Sequence, residues 1–110
     1  MQLSAMTVRA LEVRERYAAF EERTYGRRWS LQDLTLGLVG DVGDLVKLVQ
    51  AHEGVRAVEN ARPALEHELA DVLWSLLVIA KRCDVDLETA FSRTMDELDA
   101  ALGRSSDPVS

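Results

Sequence analysis

Four stretches of the chain place apolar residues three or four positions apart, the spacing of a helix that buries one face. They cover residues 7–23, 31–49, 63–80 and 87–103. No stretch alternates apolar and polar residues as a half-buried strand would, and no internal repeat is present. Because the connections are short, the pattern predicts an all-α fold, an antiparallel four-helix bundle.

Signals at the helix ends support these boundaries. Ser30 followed by Asp33 resembles an N-terminal capping arrangement, and Asp86 is suited to cap the fourth helix. Pro63 fits a first helical turn, and Gly103 fits a helix end. We therefore expect one helical domain over residues 1–103, followed by a disordered tail at 104–110, which is rich in Ser, Asp and Pro.

Composition narrows the class of partner. The 110 residues suffice for one domain, and 47% of them are hydrophobic. This apolar content in so small a chain favours a homodimer or homotetramer. A net charge of -6 offers no basic face for a nucleic acid polymer or a membrane surface. With no membrane-spanning run and no signal-like start, we expect a cytoplasmic protein. Cys83 has no possible disulfide partner within the chain, and we expect a buried apolar thiol.

Two acidic pairs interrupt the most apolar stretches. Asp41 with Asp44, and Glu68 with Asp71, are each spaced i,i+3, so both carboxylates of a pair lie on one side of a helix. Asp41 also falls in the core-facing leucine row of the second helix. An ionised carboxylate among aliphatic side chains requires a proton, a cationic partner or a metal. If the two helices pack face to face, four carboxylates form a site for Mg2+ or Mn2+.

Three glycines share the second helix with the first acidic pair. Gly37, Gly40 and Gly43 should each cost about 1 kcal/mol relative to Ala. They let a partner helix approach closely, leave space for a ligand beside the carboxylates, or break the helix into a loop. The last alternative is disfavoured, because the apolar period runs on from Leu34 to Val49.

The residues around the acids resemble a known family. The run Gly-Leu-Val-Gly-Asp-Val-Gly-Asp-Leu at 37–45 and the run Glu-Leu-Ala-Asp-Val-Leu-Trp at 68–74 are similar to the paired motifs of MazG-like all-alpha nucleotide pyrophosphohydrolases. The resemblance extends from about residue 29 to residue 96 and is closest to the dCTP pyrophosphatase branch. It implies hydrolysis of a nucleoside triphosphate to the monophosphate and pyrophosphate, with Mg2+ held by four acids. These would be Asp41, Asp44, Glu68 and Asp71.

The resemblance also implies roles in catalysis and substrate binding. Either Asp41 or Glu68 would orient the attacking water. Lys47 and Arg93, together with Arg27 or Arg28 in the first loop, could meet phosphate oxygens. Trp29 matches an aromatic common at the start of the family's second helix, where it would line a base pocket.

Several positions depart from the family pattern. Both acids of the first motif are Asp where the family usually has Glu. The fourth helix has Thr94, Leu98 and Asp99 in place of the common Lys, Asn and Arg, and Ser75 replaces a common Tyr. The alternative function is therefore an inactive helical module for binding or assembly. A ferritin-like di-iron bundle is disfavoured because neither histidine completes an ExxH motif.

Overall fold

The computed structural model describes residues 2–103, which form four helices. They are α1 (Leu3–Tyr25), α2 (Leu31–His52), α3 (Ala61–Arg82) and α4 (Leu87–Gly103). The all-α prediction is confirmed, and none of the described residues lies in a strand. Each of the first three helices extends a few residues beyond its predicted stretch; α1 begins earlier because Leu3 and Met6 also pack against the core. The tail predicted at 104–110 lies outside the described residues.

The connection between α1 and α2 is closed by local hydrogen bonds. Gly26 takes a left-handed conformation, with φ of 79°, and its N–H donates to Glu22 O. The Ser30 N–H donates to Asp33 Oδ2 at 2.9 Å, and the Asp33 N–H donates to Ser30 Oγ at 3.1 Å. The predicted capping arrangement is therefore a reciprocal capping box. The Arg27 guanidinium, 2.7 Å from Asp33 Oδ2, and the Ser30 N–H lower the pKa of Asp33 to about 2.

Removing this cap should destabilise the fold measurably. Ser30→Ala is expected to lower the free energy of unfolding by about 1 kcal/mol, the usual loss for a capping hydroxyl. Because the folded pKa of Asp33 lies below its ordinary value of 3.8, its charge stabilises the fold fully above that pH. The difference in the free energy of unfolding between wild type and Asp33→Asn should therefore narrow as the pH falls below 3.8 and be lost as the pH falls through about 2. Urea unfolding across this range tests both statements, and a constant difference would contradict the second.

The packed part of the molecule is built on α3. It packs most extensively against α2, which runs antiparallel to it, and it also packs against α1. Ala10, Leu77 and Val78 form the buried core, and the Trp74 indole N–H donates to the Ala10 carbonyl oxygen at 3.0 Å. At the far end, Arg82 donates to the carbonyl oxygen of Trp29 at 3.4 Å, which ties the end of α3 to the start of α2.

α4 is only loosely attached to this packed part. None of its residues is buried, and it packs against the core through Leu87. The radius of gyration of 17.7 Å accordingly exceeds the value of about 13 Å expected for a compact chain of this length. The prediction for Cys83 was wrong: it is exposed, because it lies in the turn where the chain leaves α3. No described helix is long and apolar enough to cross a membrane.

Candidate metal centre

Antiparallel packing of α2 and α3 brings acids from both predicted pairs together. One carboxylate oxygen from each of Asp41, Asp44 and Glu68 lies within 4.8 Å of the other two. Asp41 and Glu68 are half-buried between the helices, whereas Asp44 is exposed at the edge. Such a group of hard oxygen donors, open on one side, fits a divalent cation that retains water ligands.

Glu68 is the electrostatically strained member of this group. Burial, followed by the negative charges of Asp41, Asp71 and Asp44, raises the pKa of its carboxyl group. Its Oε1 is buried and has no hydrogen-bond partner among the described residues. A buried acceptor without a donor is costly, and a bound cation would satisfy it. The residues present therefore fit a metal ion.

Asp71 lies outside the cluster of three. Its Oδ2 is 3.2 Å from Nε2 of His67, one helical turn earlier on α3. The His67 side chain is 76% exposed, so this pair is weak in water and leaves the Asp71 carboxylate free to turn. Asp71 already contributes negative charge at Glu68. The structure thus assembles three of the four predicted ligands and places the fourth one turn away along α3.

The predicted substrate-binding residues are dispersed. Lys47 lies one turn after Asp44 on α2 and is exposed. Trp29 precedes α2, about 18 Å from Asp41 along the helix axis at the usual rise per residue. There it packs against Tyr25, with ring centroids 5.3 Å apart and ring planes tilted by 39°, and Arg27 lies over its ring. Arg93 is exposed on α4, which packs on neither side of the acidic cluster.

The two candidate loop arginines form ion pairs. Arg27 pairs with Asp33, and Arg28 pairs with Glu15 and Glu22, both at 2.6 Å. They stabilise the α1–α2 connection, and phosphate binding would have to displace these carboxylates.

The glycine row of α2 borders the acids. A Cβ atom added at Gly37, Gly40 or Gly43 would meet no other group within 4 Å. None of the helices within residues 2–103 therefore uses the room that these glycines leave. A ligand and a second chain both remain compatible with it, as the sequence indicated.

A buried ion pair was missed by sequence reasoning. Arg14 and Glu21 on α1 are buried and paired with each other, and Glu21 Oε1 also accepts the Trp29 N–H at 2.9 Å. The available signal was two opposite charges seven residues apart, which places both on one face of a helix. Helices with many exposed charges often show this spacing, so the signal is weak.

Comparisons with known proteins agree with the motifs. The sequence profile of the MazG nucleotide pyrophosphohydrolase domain matches residues 30–100. The dCTP pyrophosphatase 1 of Rattus norvegicus is 40% identical over 91 residues, covering 77% of this chain and 54% of that protein. The Homo sapiens dCTP pyrophosphatase 1 is 37% identical over 105 residues, covering 86% and 62%. Gene 37 protein of Mycobacterium phage L5 is 35% identical over 78 residues, covering 67% and 68%. The chain spans little more than half the length of its rat relative.

Proposed function

Because the chain belongs to the MazG nucleotide pyrophosphohydrolase family, we propose that it hydrolyses a nucleoside triphosphate to the monophosphate and pyrophosphate. Deoxynucleotides, dCTP first, are the leading candidate substrates, since two of the relatives described above are named dCTP pyrophosphatases. The observation that carries the proposal is the convergence of Asp41, Asp44 and Glu68, with one Glu68 oxygen buried and unpaired.

The acidic cluster would hold Mg2+ or Mn2+. Asp41, Asp44 and Glu68 would supply the oxygen ligands, and Asp71 would join them if it turned away from His67. When bound, the metal neutralises triphosphate charge and lowers the pKa of a coordinated water. This role of the cluster is supported by its hard oxygen donors and by the unpaired buried oxygen of Glu68.

The residues of the chain would position the reaction. Asp41 or Glu68, both half-buried, orients the water and accepts its proton. The water oxygen then forms a bond to the α-phosphorus, while the bond from that phosphorus to the oxygen bridging to the β-phosphate breaks. Lys47 lies one turn from Asp44, near enough to contact the phosphate oxygens of a nucleotide bound by the acids of its own chain.

We also propose that the functional unit is a homodimer or homotetramer. Many large apolar side chains are exposed in one protomer; on α2 they are Leu36, Val39, Val42, Val46 and Val49. Trp29 lies about 18 Å along the helix axis from Asp41 of its own chain, and in an oligomer we propose that it contacts a nucleotide held by the acids of another copy. Arg93 would contact phosphates in the same way.

A turnover screen tests the proposed activity. Wild type is incubated with each common NTP and dNTP, with Mg2+ or Mn2+, and pyrophosphate release is measured beside Glu68→Ala and Glu66→Ala. Glu66 is an exposed acid on the same helix, weakly paired with Arg62 at 3.8 Å. We expect turnover by wild type and Glu66→Ala, and a loss of at least about 100-fold in Glu68→Ala. Equal turnover by Glu68→Ala would remove the assigned site. No turnover of any nucleotide, with metal binding intact, would favour the assembly module.

A further inference from the structure

The peptide groups of Trp29 are held by charged side chains from two helices. Its N–H donates to Oε1 of Glu21 on α1 at 2.9 Å, and its carbonyl oxygen accepts from Arg82 at the end of α3 at 3.4 Å. Trp29 lies between α1 and α2, where helical hydrogen bonds do not fix the backbone. Side chains of α1 and α3 therefore set the position of a residue that stands just before α2.

The hydrogen bond from the Trp29 N–H ends on a buried ion pair. The other oxygen of Glu21, Oε2, pairs with Arg14 two turns earlier on α1, and both side chains are more than nine-tenths buried. Because the acceptor belongs to a carboxylate in a dry site, its hydrogen bond is stronger than one between neutral groups in water. Glu21 thus joins the Arg14 guanidinium to the backbone of the α1–α2 connection.

Stability alone explains this ion pair poorly. A buried ion pair often stabilises a fold no more than apolar side chains of similar volume do. Arg14 adds a further penalty, because its Nε is buried without a hydrogen-bond partner among the described residues. Two apolar side chains would avoid both penalties, but they would offer no acceptor to the Trp29 N–H. The ion pair differs from an apolar pair in supplying that acceptor in a fixed place.

The indole of Trp29 stays partly open to solvent although its backbone is held. The residue is half-buried, its ring packs against Tyr25, and the Arg27 guanidinium carbon lies 5.5 Å from its ring centroid. A ring that is accessible and already ordered suits a planar ligand, because little conformational freedom remains to be lost on binding.

We propose that Glu21, oriented by Arg14, is a positioning residue that fixes Trp29 for contact with the nucleotide base. Arg82 supports the same residue from α3. This role rests on the proposed function, because it takes Trp29 to line the base pocket. Without the acceptor, the Trp29 backbone would move, and each nucleotide that binds would have to order it again. The affinity for the nucleotide should therefore fall, while the rate of the bound complex stays the same.

Two double variants separate the hydrogen bond from the ion pair. Arg14→Met with Glu21→Gln, and Arg14→Met with Glu21→Met, both remove the two buried charges and keep side chains of similar length. Only the glutamine can accept the Trp29 N–H. With a nucleotide that wild type hydrolyses, the KM of the Glu21→Met double variant should be about 3- to 10-fold above that of the Glu21→Gln double variant, at the same kcat. Glu12→Met, at an exposed position of α1, is the control and should leave wild-type KM and kcat unchanged.

The fluorescence of Trp29 tests its positioning without any turnover. The chain has two tryptophans, so a Trp74→Phe background leaves Trp29 as the sole indole. In this background, acrylamide should quench the Glu21→Met double variant more strongly than the Glu21→Gln double variant. If the former fails to fold, Arg82→Met removes the exposed hold from α3 and should raise the quenching by a smaller amount.

The two readouts distinguish the ways in which this role could fail. Equal quenching in the compared variants would overturn the positioning of Trp29, whatever the KM values. Stronger quenching with equal KM values would overturn the effect on the substrate and leave Glu21 a purely structural residue. If wild type hydrolyses no nucleotide, the proposed function fails and the substrate effect falls with it. The fluorescence comparison then still decides whether Glu21 holds Trp29 in place.

Discussion

Glu68→Gln is expected to stabilise the metal-free protein and to abolish its stabilisation by Mg2+. The Glu68 carboxyl group has a raised pKa in the folded state, so its ionised form at neutral pH opposes folding. The amide keeps the shape, removes that charge and can donate hydrogen bonds to the carboxylate of Asp41 or Asp44. It is also a poorer metal ligand, so a cation held by the acidic cluster should bind far more weakly.

Thermal unfolding with and without Mg2+ measures both effects. Wild type should gain about 2.7 kcal/mol when free Mg2+ is at one hundred times its Kd, because the ion binds only the folded state. Glu68→Gln should unfold at a higher temperature than wild type in a chelator and show little further rise with Mg2+. The control Glu66→Gln, at an exposed position on the same helix, should behave as wild type in both conditions. A variant less stable than wild type in chelator would show that Glu68 is not strained by its neighbours.

Arg14→Met is expected to lower the free energy of unfolding by about 3–5 kcal/mol, a large part of the 5–15 kcal/mol typical of a domain. The substitution leaves the Glu21 carboxylate buried without its cationic partner. Glu21→Gln should disturb the α1–α2 connection little, because the amide oxygen can still accept the Trp29 N–H. It nevertheless leaves the Arg14 charge buried without a partner, so it should also lower the free energy of unfolding. The double variant Arg14→Met, Glu21→Gln removes both charges and should recover most of the stability.

A double-mutant cycle in urea at fixed protein concentration measures this coupling. The matched control is the pair Arg9 and Glu12 on the same helix, whose side chains are more than half exposed. Glu12→Gln should change the free energy of unfolding by less than about 1 kcal/mol. Single-variant costs at Arg14 and Glu21 as small as this would mean that water reaches the pair in solution.

The helices and the acidic pairs were predictable because they follow from local rules. Apolar spacing gave the four helices, and the Ser30–Asp33 capping box was readable from two positions. The paired motifs indicated the family, and the comparisons confirm that resemblance. Acids three residues apart must share a side of their helix, so the only unknown was how α2 and α3 pack.

Features that depend on packing between distant segments were not predictable. The burial of Arg14 and Glu21 requires the α1–α2 connection to fold over α1, and the chain pattern alone does not specify that path. The periodicity of α4 defined an apolar face correctly but not its partner, so it could not show that this face is uncovered in one protomer. Exposure of Cys83 follows from the same openness at the α3–α4 turn.

Alanine substitutions along the glycine row of α2 would report whether another molecule packs against that side of the helix. In one protomer, alanine at Gly37, Gly40 or Gly43 collides with nothing and removes a helix penalty of about 1 kcal/mol at each position. The sign of each alanine effect therefore depends wholly on what occupies the space outside the protomer. A position where alanine stabilises the protein faces open solvent, and a position where alanine destabilises it contacts a neighbouring molecule. The three substitutions, spread over about 9 Å of helix, would thus locate any molecule that packs beside the acids.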